Sequence, residues 1–122
     1  QSVDRFAPES QHFAEQGFIA ASIRYRGTPD DQFPSTVHDA KAAVRFLRAN
    51  AERFRIDPDR IGAFGHSAGG YLVQMLAVTA GMAEFEGDGG NPTVSSAVQA
   101  AVSSGGVSDF IERLRDGGHQ SE

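Results

Sequence analysis

Residues 61–80, IGAFGHSAGGYLVQMLAVTA, place a short apolar run, a glycine-rich turn and a longer apolar run end to end. The first run (61–64) suits a strand, and the last (71–80), apolar on most sides, suits a buried helix. The strand runs directly into the glycine-rich turn, and the helix follows at once. Such junctions belong to parallel sheets fed by crossover helices, and no other stretch constrains the fold as strongly.

The rest of the chain keeps the same alternation. From Pro8 to Gln16 a short helix is expected, with Pro8 in its first turn and Gly17 placed to end it. FIAASIRY (18–25) reads as a strand apolar on both faces. RGTPDDQFPS is a loop, punctuated by Gly27, Pro29 and Pro34. Val37, Ala40, Val44, Leu47, Ala51 and Phe54 then form one helical stripe, with arginines crowding its second half as the macrodipole favours. Those arginines are expected on a polar face. After the 71–80 helix, EFEGDGGNPTVSS reads as a surface loop, AVQAAVSS (97–104) as a third strand and SDFIERLRDGG as the start of a helix. Helix and strand alternate throughout, which predicts an α/β fold: a three-layer α/β/α sandwich on a parallel sheet, as one domain over residues 1–122.

Composition excludes several other classes. The net charge of −5 gives no basis for nucleic-acid binding, and no apolar run reaches the ~20 residues of a membrane-spanning helix. With no cysteine, disulfides and thiolate metal sites are ruled out. Glu84, Glu86 and Asp88 lack the spacing of a calcium loop and are expected to be solvated. Neither a metal nor a cofactor is expected.

Within FGHSAGGY the serine lies between glycines in the spacing Gly65-x-Ser67-x-Gly69. A serine at a sharp strand-to-helix turn is lifted above the sheet edge, where a substrate reaches its Oγ. The backbone there is strained for a residue with a Cβ. Gly65 and Gly69 leave room for strand and helix to approach, and Gly70 adds clearance. The N–H of Ala68, at the helix start, would face the oxygen that becomes negative when Ser67 attacks a carbonyl. Phosphate-loop readings fail: Lys41 is the only lysine, and the glycines at 62, 65, 69 and 70 do not match G-x-G-x-x-G.

Together, YR (25–26), FP (33–34), the helix with AVRFLR, DPDRI (57–61) and GHSAGG (65–70) resemble the esterase/lipase branch of the α/β-hydrolases. The similarity is nearest to acetyl esterases and feruloyl-esterase-like carboxylesterases, and it extends over most of residues 13–110. It implies a partial α/β-hydrolase fold, Ser67 as nucleophile and the Ala68 N–H as half of an oxyanion hole. Gly65, His66, Gly69 and Gly70 would complete the elbow. The implied substrate is a small-molecule or carbohydrate-linked ester, with short acyl or aryl groups such as acetyl or feruloyl. Aryl-formamide hydrolases, prolyl-oligopeptidase-type peptidases and non-catalytic ligand-binding relatives remain open alternatives.

The chain departs from the family in what surrounds the serine. The family orders its triad Ser, then Asp/Glu, then His. His119 is the only histidine after Ser67 and arrives too soon, while Asp109 follows the wrong strand. His66 adjoins Ser67 in too tight a turn to reach its Oγ, and His12 and His38 are expected on solvated helix faces. The catalytic acid and base are therefore expected outside this chain. So are a histidine-led glycine loop before residue 1 and a strand that the family places between FIAASIRY and IGAF. The 122-residue piece alone is expected to be marginally stable and nearly inactive.

Overall fold

The computed structural model describes residues 6–27 and 32–115. His119 lies outside them, as do Pro29 and the Asp30-Asp31 pair. Helix α1 (Ala7–Glu15) carries Pro8 in its first turn. It ends where Gly17 turns left-handed at φ 91°. Phe18 N–H donates to Phe13 O (3.1 Å) and Gly17 N–H to Ala14 O (3.0 Å), while the Phe13 and Phe18 rings meet edge-on at 5.8 Å. This is a Schellman stop with its apolar clasp.

FIAASIRY does not form the expected buried strand. Residues 18–25 take no regular structure, and Phe18 and Ile19 are exposed. A strand needs a partner for its backbone, and no described strand runs beside this one. The segment's end is nonetheless anchored. Arg26 grips Asp39 through its backbone N–H (2.8 Å) and its guanidinium (Nη2–Oδ1 2.9 Å), and Tyr25 packs on the core.

Helix α2 (Ser35–Ala49) follows the cis Phe33–Pro34 peptide. The expected helix to residue 54 is interrupted at Asn50, after which α3 (Ala51–Phe54) makes one further turn. Asn50 donates both its N–H (3.1 Å) and its Nδ2 (2.8 Å) to Phe46 O, the competition by a short amide side chain that disfavours helix interiors. Asp57 then closes the turn before the sheet, its Oδ1 accepting Asp59 N–H at 2.9 Å.

Strands β1 (Gly62–His66) and β2 (Ala100–Ser104) pair in parallel, Gly62 opposite Ala100 and His66 opposite Ser104. Between them lie α4 (Ala68–Val78) and α5 (Ala83–Glu86), a short turn inside the expected surface loop. Helix α6 (Phe110–Arg115) comes last. Helix α4 packs on both strands and on α2. Val37, Ala40, Val44, Ile61, Leu72 and Leu76 form the core between these elements. On the other sheet face Phe13 of α1 reaches Phe64, ring centroids 5.8 Å apart. Helices thus lie on both sides of a parallel sheet, the layering expected of the chain.

The 79–99 segment is less solvated than its composition suggests. Lys41 is fully buried, and its Nζ donates to Thr79 O (2.7 Å), Glu86 Oε1 (2.9 Å) and Ser96 Oγ (3.2 Å). Arg45, 2% exposed, holds Glu86 Oε2 (2.8 Å) and Gly90 O (2.9 Å). His38 Nε2 lies 3.1 Å from Glu84 O, and Arg48 binds the carbonyls of Pro58, Ser95 and Ala97. Arg45 and Arg48 are therefore a clamp and not part of a polar face, whereas Arg53 and Arg55 are exposed as expected, and Glu86 is the counter-charge at the centre of the clamp. Burial alone would raise the Glu86 pKa, but hydrogen bonds from Lys41, Ser96 and Arg45, with the Lys41 charge, hold it below the ordinary 4.5.

Candidate active site

The residues expected to form an elbow come together where β1 ends and α4 begins. Ser67 stands at the junction with φ 55° and ψ −117°, a left-handed φ that a residue with a Cβ seldom adopts. Such a conformation costs on the order of 1–3 kcal/mol and persists only where its surroundings fix it. Here Ser67 N–H donates to Ser104 O across the strands (2.8 Å), and Ser67 O accepts Tyr71 N–H (3.0 Å) as the first helical bond. Sheet and helix each hold one side of the residue.

Sterics explain the glycines unequally. A Cβ on Gly65 would collide with the Gly69 carbonyl and stand 2.9 Å from Gly70 N, so only glycine permits this crossing. On Gly70 a Cβ would lie 3.0 Å from the backbone of Gly106, and one on Gly106 would meet Tyr71 N at 2.8 Å. Gly69 differs: a Cβ there meets nothing within 4 Å, so clearance is not its role among the described residues. Gly106, which sequence reading passed over, is thus a necessary part of the crossing. Its partner across the fold is 36 positions away, and only the Gly70 side carried a local motif.

The Ser67 side chain is exposed and does not cap its own helix. Ala68 is the first residue of α4, so its N–H belongs to the group that a helix start leaves without an intrahelical acceptor. The macrodipole adds partial positive charge at that end. Both strands terminate on this side, the edge where open α/β sheets bind ligands.

None of the described histidines hydrogen-bonds the Ser67 hydroxyl. His66 Nδ1 lies 3.2 Å from Ser104 Oγ. His38 is held by the 79–99 segment, and His12 packs edge-on to Phe13. Asp109 faces its own helix: its Oδ1 accepts the N–H groups of Ile111 and Glu112, both at 2.9 Å, and so caps α6. Beyond it, Phe110 meets Tyr71 edge-to-face with centroids 5.1 Å apart. Burial pushes the Tyr71 phenol above its ordinary 10.0.

A strand, a tight serine turn and a helix on a parallel sheet, layered by helices on both sides, are the central architecture of an α/β-hydrolase. The chain belongs to the BD-FAE family, whose model matches residues 2–122. Among curated proteins it is 38% identical over 112 residues to the probable carboxylic ester hydrolase LipM of Mycobacterium tuberculosis, covering 92% of this chain and 25% of LipM. Among solved structures it resembles a bifunctional GH43-CE protein of Bacteroides eggerthii, with TM-score 0.77, 36% identity and coverage of 83% of this chain and 14% of that one. It also resembles Thermogutta terrifontis esterase 2 phosphonylated by cyclosarin, with TM-score 0.78, 30% identity and coverage of 87% and 40%. The chain therefore spans a quarter of LipM and well under half of either structure.

Proposed function

We propose that the protein carrying this chain is a serine carboxylic-ester hydrolase and that Ser67 is its nucleophile. The single observation that carries this reading is the backbone of Ser67, strained at φ 55° and ψ −117° and held from both sides with its hydroxyl exposed at the sheet edge. Ser67 Oγ attacks the ester carbonyl, the Ala68 N–H stabilises the resulting oxyanion, the alcohol leaves, and water releases the acyl group from Ser67. One such donor is worth about 3 kcal/mol of barrier. The acid and the base that activate Ser67 come from outside residues 6–115.

Support comes from relatives named as ester hydrolases, and from the cyclosarin-phosphonylated state of the Thermogutta enzyme, since organophosphonates phosphonylate activated hydroxyls with loss of their leaving group. We infer as its substrates carbohydrate-linked or small esters with short acyl or aryl groups, a reading supported by the likeness to the GH43-CE protein. In the full-length protein, a fluorophosphonate probe should label Ser67, as located by peptide mass spectrometry. Ser67→Ala should abolish labelling and lower ester turnover by about 10⁴-fold or more. Retention of turnover in Ser67→Ala would remove this serine from the mechanism.

A further inference from the structure

The chain leaving β2 is guided over the first turn of α4. Gly106 crosses Gly70 at backbone distance, and Gln74 Nε2 donates to Ser103 Oγ (3.1 Å) and reaches Gly106 O (3.5 Å). Three residues later Asp109 caps α6, which fixes where Phe110 starts its helix. Phe110 then packs edge-to-face on Tyr71, centroids 5.1 Å apart and planes at 87°.

Tyr71 lies one helical turn after Ser67, bonded to it through Tyr71 N–H and Ser67 O. Side chains on a helix tilt toward its N-terminus, so the Tyr71 side chain leans back toward the turn that begins at Ser67 while it also packs against the core. Phe110 extends the same apolar surface. It stays 49% exposed although its ring contacts Tyr71, so one face of the pair remains open. An aromatic pair standing open beside an exposed serine is an apolar wall at the edge where an ester would bind.

We propose that Tyr71 and Phe110 form the wall that determines how well an ester with an aromatic group is accepted relative to a small aliphatic one. The proposal rests on Ser67 being the nucleophile. Asp109 is a positioning residue for this wall, because its cap sets the place of Phe110. Aromatic groups gain from edge-to-face contact with such a pair, whereas an ethyl group presents too little surface to benefit.

The test measures kcat/KM of the full-length protein for phenyl acetate and ethyl acetate, and takes the ratio of the two in each variant against wild type. The intrinsic reactivity of the esters cancels in that comparison. Phe110→Ala should lower the phenyl preference roughly tenfold. Phe110→Leu, which keeps apolar bulk and guards against a folding defect, should lower it by less. Leu114→Ala, on the same helix but 78% exposed, should leave the ratio unchanged. Asp109→Ala should reduce the ratio and Asp109→Asn, still able to cap, should restore it. A ratio that moves less than twofold in both Phe110 variants, while Ser67 still labels and turns over, overturns the wall alone. A ratio that Leu114→Ala shifts as strongly as Phe110→Ala does the same. Wild-type protein that neither hydrolyses these esters nor labels at Ser67 overturns the hydrolase reading and the wall with it.

Discussion

The two faces of the β1–β2 pair are made from alternate residues of the same strands, yet they are in opposite states. Ile61, Ala63 and Gly65 face α2 and α4, where the core closes and every buried side-chain N and O among the described residues has a partner. On the other side Phe64 and Val102 stand 42% and 56% exposed, with Phe13 of α1 reaching Phe64. The difference shows which contacts build the candidate site. The Gly65 crossing, the Gly70–Gly106 approach and the Lys41–Glu86–Arg45 clamp all belong to the covered side. The open side contributes His66 and Ser104 side chains and little else to the geometry of Ser67.

The sharpest way to break that distinction lies within the serine turn. Gly65→Val would drive a side chain into the Gly69 carbonyl, so strand and helix must separate. A loss of about 3 kcal/mol or more is expected in urea unfolding, together with loss of fluorophosphonate labelling. Gly69→Ala should instead be neutral or stabilising by up to about 1 kcal/mol, since its Cβ enters open space within α4. Equal damage from the two substitutions would mean that the turn is not held by this contact.

Next in size is the clamp. Lys41→Met leaves Glu86 with Arg45 as its one basic partner among the described residues, beside the Ser96 hydroxyl, and opening the buried cluster in this way costs roughly 3 kcal/mol. The Glu86 side chain keeps 28% of its exposure, so the lower end of that range is expected. Adding Glu86→Gln should deepen the loss, because it leaves the guanidinium of Arg45, 2% exposed, without its carboxylate. A double variant as stable as Lys41→Met would show that Glu86 is not the counter-charge on which Arg45 depends.

How much of this was legible beforehand follows from separation along the chain. The Gly65–Gly70 turn, α2 and both paired strands could be read because each depends on a local pattern. The clamp could not: Lys41 and Arg45 sit beside the apolar stripe four residues apart, but their acid is more than 40 positions away in an acidic, glycine-rich run that reads as solvated. FIAASIRY failed for the converse reason. Its composition suits a buried strand, but a strand exists only with a neighbour, and composition cannot supply one. Lys41 itself was the available signal, a lone lysine adjoining a helix's core positions.

Acid should release the clamp before it affects the open face. The folded pKa of Glu86 lies below its ordinary 4.5, because hydrogen bonds from Lys41, Ser96 and Arg45, with the Lys41 charge, outweigh desolvation. Its stabilisation is therefore fully present above about pH 4.5 and fades as pH falls through the lowered value. Asp39 behaves alike from 3.8 downward, with Arg26 outweighing its desolvation. Melting temperature followed from pH 7 to pH 3 should fall more steeply in wild type than in Glu86→Gln. Parallel curves would show that Glu86 has no depressed titration.

The smallest effect tests the open face itself. Val102→Ser removes apolar area from a side chain that is already 56% exposed, and in the 122-residue chain it should change stability by less than about 0.5 kcal/mol. The same substitution in a longer natural chain carrying these residues gives the comparison its meaning. If further chain packs on this face, Val102 becomes a core residue there and the cost should rise to about 1–3 kcal/mol. If the cost stays near zero in both lengths, the face is solvent-facing by design, and all support for the Ser67 turn comes from the α2–α4 side. Paired urea melts of the two lengths, with Ile61→Val as the covered-side reference at about 1 kcal/mol, separate these outcomes.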